Sequence, residues 1–280
     1  MILYGKPVSD LIKEKIIKSN LGKNIYIGIL LLSDDLASQT YVNHKKNFGD
    51  DVGICVKIFS KENINCENID EILSLIYQLN NDNNCVGIIV QLPLNNIIEH
   101  YKADILSSIS SKKDIDGLGG INFGLNLVGK TNFLPATPKS IINILKYYKL
   151  DDFEGKKISI IGQSNLIGKP LALEFMKKEA EVFSFNKKID PRDLAYFCKQ
   201  SDYIICATGV AGLINSNFVK NDKSQILIDV GFSKKGNKIM GDINFEDVKD
   251  KVKAISPVPG GVGPTTIACL FENILELYNN

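Results

Sequence analysis

Short apolar runs alternate with amphipathic stretches along the length of the chain. In the first half, residues 25–32, 54–59 and 86–91 read as buried strands rich in isoleucine, leucine and valine. Helical periodicity lies between them, near residues 38–49 and 68–79, with Ser38 placed to cap the first helix. Thr137 and Pro138 read as the cap and first position of a helix over 139–148. Strands then follow at 157–161, 181–185, 203–207 and 226–230, each reached through a connection long enough for a crossover helix, and a last helix covers 267–278. Alternation of this kind predicts an α/β protein with two lobes. The N-terminal lobe is an α/β substrate lobe, and the C-terminal one is a Rossmann-type doubly wound parallel sheet. No internal repeat is present.

A chain of 280 residues suits two domains of ordinary size. Its 33 basic and 32 acidic residues leave a formal charge of +1, which argues against nucleic acid or a membrane surface as partner and for small-molecule chemistry. The first residues, Met1 to Pro7, lack the apolar region of a signal peptide, and no later run is long enough to span a bilayer, so a cytoplasmic location is expected. Six cysteines form no C-x-x-C pair and are expected to be reduced core residues. With only His44 and His100, and neither in a ligand-spaced cluster, no metal is expected.

The strand at 157–161 runs into Gly162-Gln163-Ser164-Asn165-Leu166-Ile167-Gly168-Lys169-Pro170, a glycine-opened turn leading into a helix. Such a turn lets backbone N–H groups and a helix N-terminus approach a pyrophosphate. Ser164 stands where a second glycine is usual, and a glycine after a strand also serves as an ordinary turn. Two further strand endings, Cys206-Ala207-Thr208-Gly209 and Asp229-Val230-Gly231-Phe232, are built from small residues that would let a flat ring lie against backbone. The strand at 181–185 is followed by Asn186-Lys187-Lys188, with no carboxylate to bind a ribose 2′-hydroxyl; a 2′-phosphate would meet lysines. Dinucleotide contacts are therefore expected at Gly162, Gln163, Ser164, Lys187, Thr208, Gly209, Gly231 and Phe232.

Tyr41 and Lys45 lie four residues apart, on one helix face. The pair reads either as a solvated face or as a partly desolvated lysine beside an aromatic platform, its pKa lowered toward neutrality. Gln91, between Val90 and Leu92, ends a buried strand and is aimed into the crevice at the strand carboxyl ends. Asp116, in Lys113-Asp114-Ile115-Asp116-Gly117, either caps a turn or accepts two N–H donors from a nitrogen-rich heterocycle. Near the end, Pro257-Val258-Pro259-Gly260-Gly261-Val262-Gly263-Pro264 forms a stiff loop whose bare backbone can lie against a planar ligand.

In order and spacing, these five segments resemble the bifunctional methylenetetrahydrofolate dehydrogenase/methenyltetrahydrofolate cyclohydrolase family, from about Gly5 to the last helix. The resemblance implies a folate lobe over residues 1–120, completed by the helix 265–280, and a Rossmann-type NAD(P) lobe over 121–264. It implies a homodimer acting on tetrahydrofolate derivatives in one-carbon metabolism and purine biosynthesis, with NADP as cofactor and NAD the alternative. On this reading Lys45 is the catalytic lysine, Gln91 positions it, Tyr41 stacks along the aminobenzoyl ring and Asp116 binds the pterin. Val90, Leu92, Pro259, Gly260 and Gly261 complete the folate wall. Family members commonly carry arginine at Gln163 and a His-Ser pair at Asn186-Lys187, the arginine and serine gripping the 2′-phosphate, so Lys187 or Lys188 would have to compensate. Ala136 and Ser140 replace a cysteine and a glycine and are expected to be silent. Two other readings remain: a monofunctional dehydrogenase, NAD-dependent in one form, and a folate-binding protein without turnover.

Overall fold

A computed structural model of the chain describes residues 1–19, 21, 24–131, 133–235 and 238–278. They fall into two compact units, one made of Leu11–Ala136 and Ile267–Asn280, the other of Met1–Asp10 and Thr137–Thr266.

The chain begins with α1 (Lys6–Ser19), and the first unit then alternates β1 (Tyr26–Leu31), α2 (Leu36–Val52), β2 (Cys55–Phe59), α3 (Ile69–Asn81) and β3 (Cys85–Gln91), followed by short α4 (Lys102–Ser107) and α5 (Gly120–Leu127). Its sheet has the order β2-β1-β3, all parallel, with Leu31 level with Gln91. Both faces are covered, so β1 and β3 are apolar almost throughout. Leu30, Leu32, Ile72, Ile76, Ile88, Val90 and Ile105 form one buried cluster on one side of the sheet.

The cap of helix α2 lies three residues before the expected one. Asp35 caps it, accepting from the Ser38 backbone N–H (2.7 Å) and hydroxyl (2.8 Å), so Ser38 sits inside the first turn. Thr137 likewise falls within α6 (Ala136–Tyr147) and does not precede it. Ser140 is not silent: its buried hydroxyl donates to the Thr137 carbonyl (2.7 Å) and lies 3.1 Å from the Thr266 hydroxyl.

The second unit continues with β4 (Lys157–Ile161), α7 (Gly168–Lys177), β5 (Glu181–Phe185), α8 (Pro191–Gln200), β6 (Tyr203–Cys206), β7 (Ile226–Asp229), β8 (Ser233–Lys235), β9 (Lys238–Met240), α9 (Phe245–Val248) and β10 (Ala254–Ile255). Five of these strands form a parallel sheet, β10-β7-β6-β4-β5, while β8 and β9 pair as an antiparallel hairpin. The order reverses direction at β4/β6, which makes the carboxyl ends of those strands the crevice of a doubly wound sheet. The last helix, α10, runs from Val262 to Tyr278, five residues longer at its start than the periodicity suggests, with Pro264 accommodated in its first turn.

The units divide differently from the expected lobes. Residues 121–136 pack with the three-stranded unit because Asn122 donates to the Ser111 carbonyl (3.0 Å) and Asn126 to the Phe133 carbonyl (2.7 Å). Residues 1–10 belong with the five-stranded unit, where Leu3 N–H donates to the Ile255 carbonyl (2.9 Å), Ile255 N–H donates to the Met1 carbonyl (3.0 Å), and Gly5 N–H donates to the Gly260 carbonyl (2.9 Å). Four cysteines are buried and Cys66 is half-buried, but Cys55 is exposed; all six are free. No helix among the described residues is long and apolar enough to cross a membrane.

Asn273 on α10 is fully buried and donates to the carbonyls of Ile115 (2.8 Å) and Leu134 (3.1 Å), tying the last helix to the segments before and after α5. Asn273→Ala leaves both carbonyls without that donor and is expected to destabilise the protein by about 3 kcal/mol. Urea denaturation followed by circular dichroism measures this as a fall in midpoint at unchanged slope.

Candidate active site

At the carboxyl ends of β1 and β3, α2 delivers Lys45 to a site almost closed to water. Lys45 is only 6 % exposed, and its ammonium Nζ donates to Gln91 Oε1 at 2.9 Å. The glutamine is oriented in turn, because its Nε2 donates to the Leu92 carbonyl at 2.8 Å, leaving the amide oxygen turned to the lysine. The same carbonyl accepts from the Ser38 hydroxyl at 3.3 Å, so the capped start of α2 and the end of β3 share an anchor. Burial lowers the Lys45 pKa below the ordinary lysine value, opposed by the charge of Asp116. Burial raises the pKa of Asp116, opposed by Lys45. Tyr41 is half-buried on the same helix; its hydroxyl is pushed up by burial and then by Asp116. Tyr41, Lys45, Gln91 and Asp116 are thus brought together, with Val90 buried and Leu92 half-buried at the strand end.

The loop carrying Asp116 is built by its neighbour Asp114, which is buried. Asp114 accepts from the backbone N–H groups of Gly117 (3.0 Å), Leu118 (3.2 Å) and Gly119 (2.9 Å) and from the Asn122 amide (3.2 Å). Ile88 N–H donates to the Lys113 carbonyl (2.7 Å), which zips the loop against β3. Gly117 has φ of 73°, a left-handed conformation that a side chain would strain.

In the five-stranded unit, the turn after β4 fits a dinucleotide. A Cβ at Gly168 would collide with the Gly162 carbonyl, and one at Gly162 with the Ala207 carbonyl, so the turn closes only with glycine at both places. The first turn of α7 has no side-chain cap; its Lys169 N–H donates to the Ser164 carbonyl (3.1 Å) and Pro170 carries no N–H, so the Gly168 N–H is the group this turn can offer an anion. Gln163 and Ser164 are exposed; the Gln163 amide donates to the Ser184 carbonyl (3.1 Å) and hydroxyl (3.2 Å) at the end of β5. Lys187 is exposed just beyond that strand, and Thr208, Gly209, Gly231 and Phe232 follow β6 and β7. Pro259, Gly260 and Gly261 also belong to this unit, the Gly260 carbonyl held by Gly5. The structure therefore separates the expected folate-contacting residues between its two units.

Residues 3–116 match the model for the catalytic domain of tetrahydrofolate dehydrogenase/cyclohydrolase, and residues 135–280 match the model for its NAD(P)-binding domain. The chain belongs to this family. Among curated members of the tetrahydrofolate dehydrogenase/cyclohydrolase family, it is 41% identical over 287 residues to the bifunctional protein FolD of Campylobacter jejuni strain RM1221, covering 100% of this chain and 98% of that protein. The crystal structure of the bifunctional enzyme FolD from Campylobacter jejuni superposes with a TM-score of 0.90 at 40% identity, covering 100% of this chain and 99% of that one. The Trypanosoma brucei family member, solved with NADP cofactor and an inhibitor, gives a TM-score of 0.90 at 25% identity over 100% and 97% of the two chains.

Sequence reasoning found the family's motif residues but missed those that set their positions. Asp114, Asp229, Asp242 and Asn273 are all buried hydrogen-bonding groups. A nearby glycine was the available signal for Asp114, Asp229 and Asp242, and it does not distinguish an exposed turn from a buried scaffold; Asn273, in an apolar helix, carried no such signal.

Because Gln91 accepts from the ammonium form, Gln91→Leu is expected to lower the Lys45 pKa further. Competitive acetylation with mass-spectrometric readout, run across pH, would show the midpoint for Lys45 moving to lower pH. An unmoved midpoint would remove the amide's role.

Proposed function

We propose that this protein is a bifunctional enzyme: it oxidises 5,10-methylenetetrahydrofolate to 5,10-methenyltetrahydrofolate with NADP, then hydrolyses the product to 10-formyltetrahydrofolate. The observation that carries the reading is the Lys45 amine, nearly sealed from water and held by Gln91. A dehydrogenase alone has little use for it, since loss of hydride from a carbon between two nitrogens leaves a cation spread over both and needs orientation more than acid or base. When bound, the oxidised nicotinamide supplies the hydride acceptor.

The hydrolytic step is where Lys45 acts. Water attacks the methenyl carbon and gives up one proton to form a carbinol; N5 gains a proton, and the C–N5 bond breaks as the carbinol O–H releases its proton to solvent, leaving the formyl group on N10. An amine with a lowered pKa has a neutral form that accepts the proton from water and an ammonium form that returns it to the ring nitrogen. Gln91 keeps the amine in place through both forms. Tyr41 stacks along the aminobenzoyl ring and Asp116 accepts N–H donors of the pterin. Val90, Leu92, Pro259, Gly260 and Gly261 provide folate-contacting wall.

For the dinucleotide, Gly162, Gln163 and Ser164 meet the pyrophosphate and ribose, while Thr208, Gly209, Gly231 and Phe232 face the nicotinamide end. Gln163 is neutral and engaged with Ser184, so the positive charge for a 2′-phosphate comes from Lys187 or Lys188. Assembly as a homodimer in the cytoplasm, serving one-carbon metabolism and purine biosynthesis, belongs to the same proposal and is supported by the family resemblance.

Lys45→Ala is expected to lower methenyltetrahydrofolate hydrolysis by about 100-fold or more while folate binding stays measurable. Unchanged hydrolysis would remove Lys45 from the mechanism. In the wild type the hydrolysis rate should rise with pH to a plateau reached below the ordinary lysine range, the direction set by burial. A steady-state assay with methylenetetrahydrofolate, run in parallel with NAD and NADP, tests the oxidation; turnover with neither nucleotide would sink the enzyme reading.

A further inference from the structure

Asp242 lies in the segment between β9 and α9 and is fully buried, 0 % exposed. One carboxylate oxygen, Oδ2, accepts three hydrogen bonds from the turn after β6: from the Thr208 N–H (2.5 Å), the Thr208 hydroxyl (2.9 Å) and the Gly209 N–H (3.0 Å). The other, Oδ1, has no hydrogen-bond partner among the described residues and packs against Gly231, where a Cβ would collide with it.

Asp229 at the end of β7 makes the reciprocal arrangement. It accepts from the N–H groups of Gly231 (3.0 Å), Asp242 (3.0 Å) and Ile243 (2.9 Å), and its carboxylate fills the space a Cβ on Gly241 would need. Each aspartate is lodged under the other segment's glycine. The Gly241 and Asp242 carbonyls also accept from the Gly212 and Ile214 N–H groups, both at 3.0 Å. Burial and then the Asp242 charge push the Asp229 carboxyl up to about 7 even with three N–H donors on it. Two carboxylates are costly to bury side by side, and a loop that only had to close could use neutral side chains. This pair instead grips the two strand endings that carry Thr208, Gly209 and Gly231. Gly209 has φ of 71° with open space beyond its Cα, so the gripped turn presents a bare outer face.

We propose that Asp242 is a positioning residue for the oxidation step, holding the Thr208–Gly209 turn in the shape that receives the nicotinamide end of the dinucleotide and locking it to Gly231 through the clasp with Asp229. The assignment rests on the reading that these strand endings line the cofactor. The hydrogen bonds that Asp242 Oδ2 accepts all come from the turn after β6, so its influence falls on the oxidation.

The test uses the full-length protein and its Asp242→Ala and Asp242→Asn variants. Oxidation of methylenetetrahydrofolate is measured over a range of NADP, and hydrolysis of preformed methenyltetrahydrofolate, which needs no nucleotide, is measured on the same preparations. Asp242→Ala strips the acceptor from three donors and should raise the KM for NADP by about tenfold or more, in line with losing more than one buried hydrogen bond. Its kcat at saturating NADP and its hydrolysis rate should stay within about threefold of wild type. Asp242→Asn keeps one acceptor oxygen under the turn and should fall between the two. A cofactor KM unchanged in the alanine variant, or equal loss of both activities with that KM unchanged, would overturn the assignment. Should the alanine variant not fold, the asparagine variant decides alone, and a KM equal to wild type counts against the proposal. A wild type inactive with either nucleotide sinks the enzyme reading; an active wild type with insensitive variants sinks this inference only.

Discussion

A primary amine taken out of water must find an acceptor or give up its charge, and the hydrogen bond from Lys45 to Gln91 meets that demand in the three-stranded unit. Much of the local architecture follows from keeping those two atoms 2.9 Å apart. Gln91 can offer its oxygen only because its nitrogen is engaged by the Leu92 carbonyl, which requires β3 to end where it does. Lys45 arrives at the right height only because α2 begins at Asp35 and not at Ser38. The parallel sheet places both at its carboxyl edge, where main-chain ladders stop and side chains can converge.

That edge creates a second problem, and both units meet it in the same way. Where strands end, backbone N–H groups lose their ladder partners while still buried. Carboxylates take over. Asp114 collects three N–H groups of the loop between α4 and α5, Asp229 one just past β7 and two in the segment after β9, and Asp242 two N–H groups and a hydroxyl after β6. Each carboxylate makes a loop rigid through several bonds at once, while the residues facing outward stay free for ligand. Glycines complement them by removing the Cβ atoms that would otherwise hold the loops apart.

The strands were legible because fully buried parallel strands are apolar from end to end, and Tyr41, Lys45 and Gln91 were visible as candidates because they stand on one helix face and at a strand end; Asp116, in a loop, was singled out by the family resemblance. What periodicity could not show was the edge strand β10, only two residues long, or the early start of α10, where Gly263 and Pro264 look like loop. Helix α1 was hidden by a weakly segregated apolar face. Asp114 was visible as half of an Asp-x-Asp pair, yet nothing in that spacing says which aspartate turns inward to scaffold and which stays near the amine. The grouping of residues 1–10 with the far half of the chain depends on pairing of Ile2 with Ile255, a separation no local pattern encodes.

The two units exchange their chain ends: the first ten residues belong with the five-stranded sheet, and the last helix returns to the three-stranded one. During synthesis, the three-stranded unit therefore leaves the ribosome without Asn273, and it stays incomplete until α10 has been made. Its half-finished surface must remain soluble for the time needed to translate the whole intervening domain. Neither unit corresponds to a continuous fragment of the gene, so a split made between the halves would hand each piece the wrong terminus.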